Sequence, residues 1–107
     1  MVAVVNPVSI VGTSDYATVA ASQTDQVLGA TGAKGDFLDT LIITVGTAAT
    51  AATSIKDGGG SSIPILPNSP GGGIGVYEVH PRAFSTAGAW KVTTGAGATV
   101  VAVGKFT

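Results

Sequence analysis

The sequence predicts an all-β fold, a sandwich or small barrel of about eight short strands. Val, Ile and Thr account for 35 of the 107 residues, whereas Glu occurs once and Leu four times. β-Branched side chains suit a pleated, half-buried surface, and the straight-chain helix formers are nearly missing. Short apolar runs recur along the chain, and turns drawn from its 16 Gly and 5 Pro separate them.

Taken in order, Val2 to Val11 form an extended apolar strip, which Pro7 confines to an edge strand or an N-terminal arm (residues 1–11). Tyr16 to Ala21 predict a short strand. The stretch "SQTDQVLGATGAKGD" is polar and turn-rich, with Val27 and Leu28 as its apolar pin. The clearest strand is "DFLDTLIITV", Asp36 to Val45. Strict alternation puts Phe37, Leu41, Ile43 and Val45 on one face, and Leu38, Thr40, Ile42 and Thr44 on the other. Two apolar-leaning faces predict a central strand. "TSIK" and "SIPIL" follow as short strands, with Ile55, Ile63 and Ile65 able to point inward. "PNSPGGG" is the strongest break in the chain. Beyond it lie "IGVYEV" (Ile74 to Val79), "AWKVTT" and "ATVVAVGKF", joined by the loops "HPRAFSTAG" and "GAG". The expected core includes Phe37, Leu41, Ile43, Trp90, Val92 and Val100.

Residues 1–107 are expected to form one domain, large enough to bury about two thirds of its unfolded surface. Charged residues make up 10% of the chain and the net charge is −1, against about 25% charged in an ordinary soluble domain. Five scattered basic residues cannot neutralise a run of phosphates, so no nucleic acid partner is expected. Low charge density also suits a surface partly covered by other protein. With no cysteine, a disulfide scaffold and a thiolate metal site are excluded. The apolar start has no Lys or Arg and is broken by Asn6-Pro7, unlike a secretory signal. No apolar run approaches the ~20 residues that span a bilayer, so no membrane partner is expected.

One stretch invites a binding reading. "SIKDGGGSSIPI" sets three glycines behind Lys56 and Asp57, and Gly beside Lys often holds phosphate. A phosphate loop, however, places Lys after the glycines and a helix after the Lys. Here Lys precedes them and strand-like residues follow. Asp57-Gly58 reads instead as a reverse turn between strands. The remaining candidates are equally sparse. His80, the lone histidine, sits before Pro81 and Arg82 in a predicted surface loop. Asp36 and Asp39 fall on opposite sides of a strand, and Glu78 faces outward. Trp90 reads as a core anchor, although Trp90, Tyr77 and Tyr16 could stack on a sugar ring. No nucleophile–base set and no metal-ligand spacing is present. The expectation is a non-enzymatic chain without cofactor or metal.

Three stretches, "AASQTDQVLGATGAKGDFLDTLIITV", "SIKDGGGSSI" and "STAGAWKVTTGAGATVVAVGKFT", resemble capsid decoration (cement) proteins of tailed bacteriophages. The likeness runs from about Ala20 to Thr107. It is carried by Gly35-Asp36-Phe37-Leu38, by Ser54-Ile55-Lys56-Asp57-Gly58 and by Ala87-Gly88-Ala89-Trp90. The resemblance implies a single-domain, jelly-roll-like β-sandwich of antiparallel strands, forming a small homo-oligomer, a trimer or dimer. It implies the major capsid protein as partner and the outer capsid surface of the virion as location, after synthesis in the host cytoplasm. No catalytic residue comes with it. Contacts with the capsid or with other subunits are expected at Val2, Val4 and Val5 of the arm, and at Asn68, Ser69, His80 and Arg82 in loops. A head-fibre or neck component and a receptor- or carbohydrate-binding module remain the alternatives.

Overall fold

The computed structural model describes residues 15–47, 52–66 and 74–107. The expected N-terminal arm, with Val2, Val4 and Val5, and the loop residues Asn68 and Ser69 lie outside the described residues. Nine strands are described: β1 (Asp15–Val19), β2 (Gln26–Val27), β3 (Phe37–Val45), β4 (Thr53–Asp57), β5 (Ile63–Leu66), β6 (Gly75–Val79), β7 (Ala83–Phe84), β8 (Trp90–Thr93) and β9 (Ala98–Lys105). Two of them, β2 and β7, are two-residue strands that the sequence pattern does not reveal.

All strand pairs are antiparallel. One sheet has the order β1-β9-β3-β6, with β7 also paired to β3, and the other has the order β2-β8-β4-β5. Leaving β7 aside, the chain changes sheet at every connection except the β4–β5 hairpin. That interleaving is the jelly-roll arrangement of a two-sheet sandwich. As the two apolar-leaning faces of its sequence predict, β3 is a central strand.

The inward faces form one core. Val19, Leu38, Leu41, Ile43, Val45, Ala98, Val100 and Ala102 come from the first sheet, and Ile55, Leu66, Trp90 and Val92 from the second. Alternation along β9 is strict: Ala98, Val100, Ala102 and Gly104 are buried while the residues between them are not. Along β3 it is not strict. Leu38 pairs with Gly104 and Thr40 with Val103, so Asp39 is an extra residue in a bulge. A one-residue insertion reverses the phase of a strand. Leu38 and Leu41 therefore both face inward, and Phe37 turns out of the core in which strict alternation placed it. Its ring lies 4.8 Å from that of Phe84 instead. A second irregularity, between Thr53 and Ser54 opposite β5, makes Ile65 the extra residue. Leu66 takes the core position opposite Thr53, and Ile63, expected inward, pairs with the buried Ile55 but is exposed because β5 is an edge strand.

Trp90 is only 4% exposed, and its indole N–H donates to the carbonyl of Asp36 at 3.0 Å. Replacing it with Ala is expected to cost about 3–5 kcal/mol. Urea or thermal denaturation checks this, and a variant melting within a degree or two of the parent would contradict it. Thr53, fully buried, has a hydroxyl with no hydrogen-bond partner. Thr53→Val keeps the shape and removes an unsatisfied polar atom, so stability should hold or rise by about 1 kcal/mol. A loss of stability in the same melts would show that this hydroxyl is satisfied in solution.

Candidate functional site

The glycine-rich turn supplies an anion, the Asp57 carboxylate, and the loop before β8 holds it. The Asp57 carboxylate accepts the Thr86 N–H at 2.9 Å, the Thr86 hydroxyl at 2.8 Å and the Ala87 N–H at 2.9 Å. Successive N–H groups of this kind form an anion-binding nest, and Asp57 fills it. Gly58 closes the joint: its φ is +59°, and its N–H donates to the Ala89 carbonyl at 2.8 Å. A Cβ at Gly58 would lie 2.5 Å from the Ala87 backbone, so only glycine fits. These hydrogen bonds, that of Ala87 foremost, hold the Asp57 carboxyl below the ordinary aspartate value against the opposing effect of desolvation.

A second polar joint lies at the start of β3. Asp36 is 4% exposed. Its carboxylate accepts the Ala33 N–H at 3.0 Å, the Thr107 N–H at 3.2 Å and the Thr107 hydroxyl at 3.1 Å. Its carbonyl accepts the Ser85 N–H as well as the Trp90 indole. The Ser85 hydroxyl, also buried, donates to the Ala33 carbonyl and accepts the Gly35 N–H. Sequence reasoning placed Asp36 at the start of the strand and missed this role. The available signal was an acidic residue between Gly35 and the apolar run, with Trp90 far along the chain. The short motifs around Asp36, Asp57 and Trp90 thus converge on two neighbouring joints. They are structural residues.

His80 and Arg82, two expected contact residues, occupy the exposed turn between β6 and β7. His80 Nδ1 lies 3.1 Å from the Thr40 hydroxyl, and its Nε2 lies 3.6 Å from Glu78. A hydroxyl, an imidazole and a carboxylate in line resemble a proton relay. Here both the imidazole and the carboxylate stand open to water on a sheet surface, where charge interactions are screened. Arg82 has φ +48° and pairs with Asp39 of the bulge at 3.4 Å. The bulge therefore fixes the position of this turn as well as the phase of β3. Among the described residues, no three His, Asp or Glu side chains group as metal ligands would.

The two outer faces of the sandwich differ in chemistry. On the second sheet, Ser54 and Lys56 of β4 lie beside Lys91 and Thr93 of β8. Lys56 pairs with Asp25 at 3.1 Å, and that contact holds the Asp25 carboxyl below its ordinary value. On the first sheet the registers give Tyr16–Val103–Thr40 in one row and Thr18–Val101–Ile42–Glu78 in the next. Thr99–Thr44–Val76 form a third row. Tyr16 and Val76 are 68% and 65% exposed. Glu78 is the charged residue of these three rows, and a fourth row adds Lys105 opposite Phe37, 3.7 Å from Asp15.

No protein-family model matches the chain, and neither does any curated protein.

The acid response of Asp57 follows from its hydrogen bonds. A carboxyl whose folded pKa is depressed stabilises the fold above the unfolded value of about 3.8. That stabilisation disappears as pH falls through the lower folded value. Asp57→Asn should therefore lower the urea midpoint clearly at pH 7, and the gap from the parent should shrink between pH 4 and pH 2. A gap of equal size across this range would show that the carboxylate charge contributes nothing.

Proposed function

We propose that this chain is a non-enzymatic virion structural protein. It is a capsid decoration, or cement, protein that binds the outside of a phage head through the major capsid protein and stabilises the shell. The observation that carries the reading is the jelly-roll strand order, locked by the very residues in which the chain resembles phage decoration proteins. A jelly roll is common in capsid and lectin domains and does not by itself decide between them. Trp90 bears on that choice. It is buried and its N–H is engaged within the protein, so it offers no stacking platform to a sugar. Tyr77 likewise packs against the core, which leaves the exposed Tyr16 alone of the three candidate aromatics open to a sugar.

The low charge density supports the same reading. A chain with 10% charged residues suits broad contact with other protein better than steering of a charged ligand. Many modest contacts suffice on a shell, because a multivalent protein touching several capsomers gains avidity without any single strong contact. His80 and Arg82, on an exposed turn, remain suited to such contact.

The test is to delete the gene or strip the protein from purified heads, then heat or desalt the shells. Weakened shells, restored by purified protein binding at hundreds of copies per particle, are the expected result. Shells equally robust without the protein, or particles that contain none of it, would refute the reading.

A further inference from the structure

We propose that Asp57-Gly58 is a self-modification site, which converts to isoaspartate only when the loop 86–88 releases the Asp57 side chain. This chemistry is independent of any capsid role. It starts from a pairing that occurs once. Of the aspartates at 15, 25, 36, 39 and 57, only Asp57 precedes a glycine.

The reaction needs no reagent but water. The Gly58 amide nitrogen attacks the Asp57 side-chain carbon Cγ, and the amide proton and the carboxyl hydroxyl leave together as water. The product is a five-membered succinimide, which water then opens at either carbonyl. Breaking the new Cγ–N bond restores aspartate. Breaking the original C–N bond leaves the main chain running through the former side chain, as isoaspartate. Glycine favours the first step, since no Cβ shields its nitrogen.

In the closed joint each requirement fails. Oδ1 of Asp57 accepts the N–H groups of Thr86 and Ala87, and Oδ2 accepts the Thr86 N–H and hydroxyl. Both oxygens are therefore held toward the loop. The Gly58 N–H, which must be freed to attack, donates to the Ala89 carbonyl at 2.8 Å. Those carboxylate hydrogen bonds also keep Asp57 ionised, and a carboxylate, unlike the free acid, has no hydroxyl to lose. Gly60 fixes the turn from within, donating its N–H to the Asp57 carbonyl at 2.9 Å. Ala89 follows directly on the loop, so one opening frees the carboxyl and the nitrogen together.

The modified joint cannot close again. Isoaspartate adds one carbon to the main chain and takes one from the side chain. Asp57 stands opposite Trp90 at the end of β4, and the chain at Gly58 passes too close to Ala87 to admit even a Cβ. No slack is left for the extra atom.

Isoaspartate is read by enzymatic methylation and located by peptide mapping, after prolonged incubation of the purified protein. In guanidinium it should accumulate at residue 57 and far less at the other aspartates. In native buffer the rate at 57 should be at least about tenfold lower, because only the open population reacts. Thr86→Val removes the hydroxyl donor and keeps the shape. It should raise the native rate roughly tenfold, the shift expected from losing one hydrogen bond to a carboxylate, and leave the rate in guanidinium unchanged. Thr107→Val removes a hydroxyl from Asp36 at the other joint and should leave the native rate near that of the parent. Chains isomerised in denaturant and returned to native buffer should melt below the parent. Equal rates in folded and unfolded chains, isoaspartate favouring another aspartate, or isomerised chains melting with the parent would overturn the proposal. So would a Thr86→Val rate no higher than that of Thr107→Val.

Discussion

The buried Asp36 is the constraint on which the rest of the fold depends. A carboxylate with 4% exposure is tolerable only if its oxygens are fully engaged, since an unpaired buried charge costs several kcal/mol. Asp36 meets that condition with groups from residues 33 and 107, while its carbonyl takes donors from residues 85 and 90. One residue thereby ties β3 of the first sheet to β8 of the second and to the end of β9. Satisfying its hydrogen bonds specifies how the two sheets are set against each other. Apolar burial alone would leave that relation loose, because small β-branched residues pack acceptably in several registers.

The Asp39 bulge follows three residues later and sets what each face displays. Without it, Phe37 would turn inward with Leu41, and Leu38 would turn out. With it, β3 presents Leu38 to the core at one end and Leu41, Ile43 and Val45 along the rest. The displaced Phe37 pairs with Phe84, and the extra residue, Asp39, meets Arg82. One inserted residue thus connects core phase, an outer aromatic pair and the placement of the His80–Arg82 turn. Bulges of this kind are how sheets redirect side chains without breaking the ladder.

The long strands were legible in the sequence because their alternation is a property of neighbours. Trp90 and Val92 against Lys91 and Thr93, or Val100 and Ala102 against Thr99 and Val101, need nothing beyond a period of two. The turn at Asp57-Gly58 was legible for the same local reason. Phe37 was not, because it lies beside a bulge, and a bulge is set by the partner strand; Ile63 pairs with the buried Ile55, but its place on an edge strand leaves it uncovered. The two-residue strands β2 and β7 are too short to carry a period. Asp36 illustrates the limit most clearly: its partners at residues 85, 90 and 107 are about 50 to 70 positions away. Nothing local marks a carboxylate that will be enclosed by them.

The distribution of charge completes the physical picture. Asp15 lies 3.7 Å from Lys105, Asp25 3.1 Å from Lys56 and Asp39 3.4 Å from Arg82, while Glu78 adjoins His80. Asp36 and Asp57 are enclosed by internal donors, and Lys91 sits near enough to Asp25 to lower its pKa. Most of the chain's few charges are therefore matched within a few ångströms, and the field they project is short-ranged. Such exposed pairs add little stability, but they remove long-range steering. Any association by this protein would then rest on apolar area, threonine hydroxyls and shape, interactions that salt barely weakens. Specificity in such a surface comes from fit across many small contacts, so the geometry fixed by Asp36 and Asp39 is also what any partner reads.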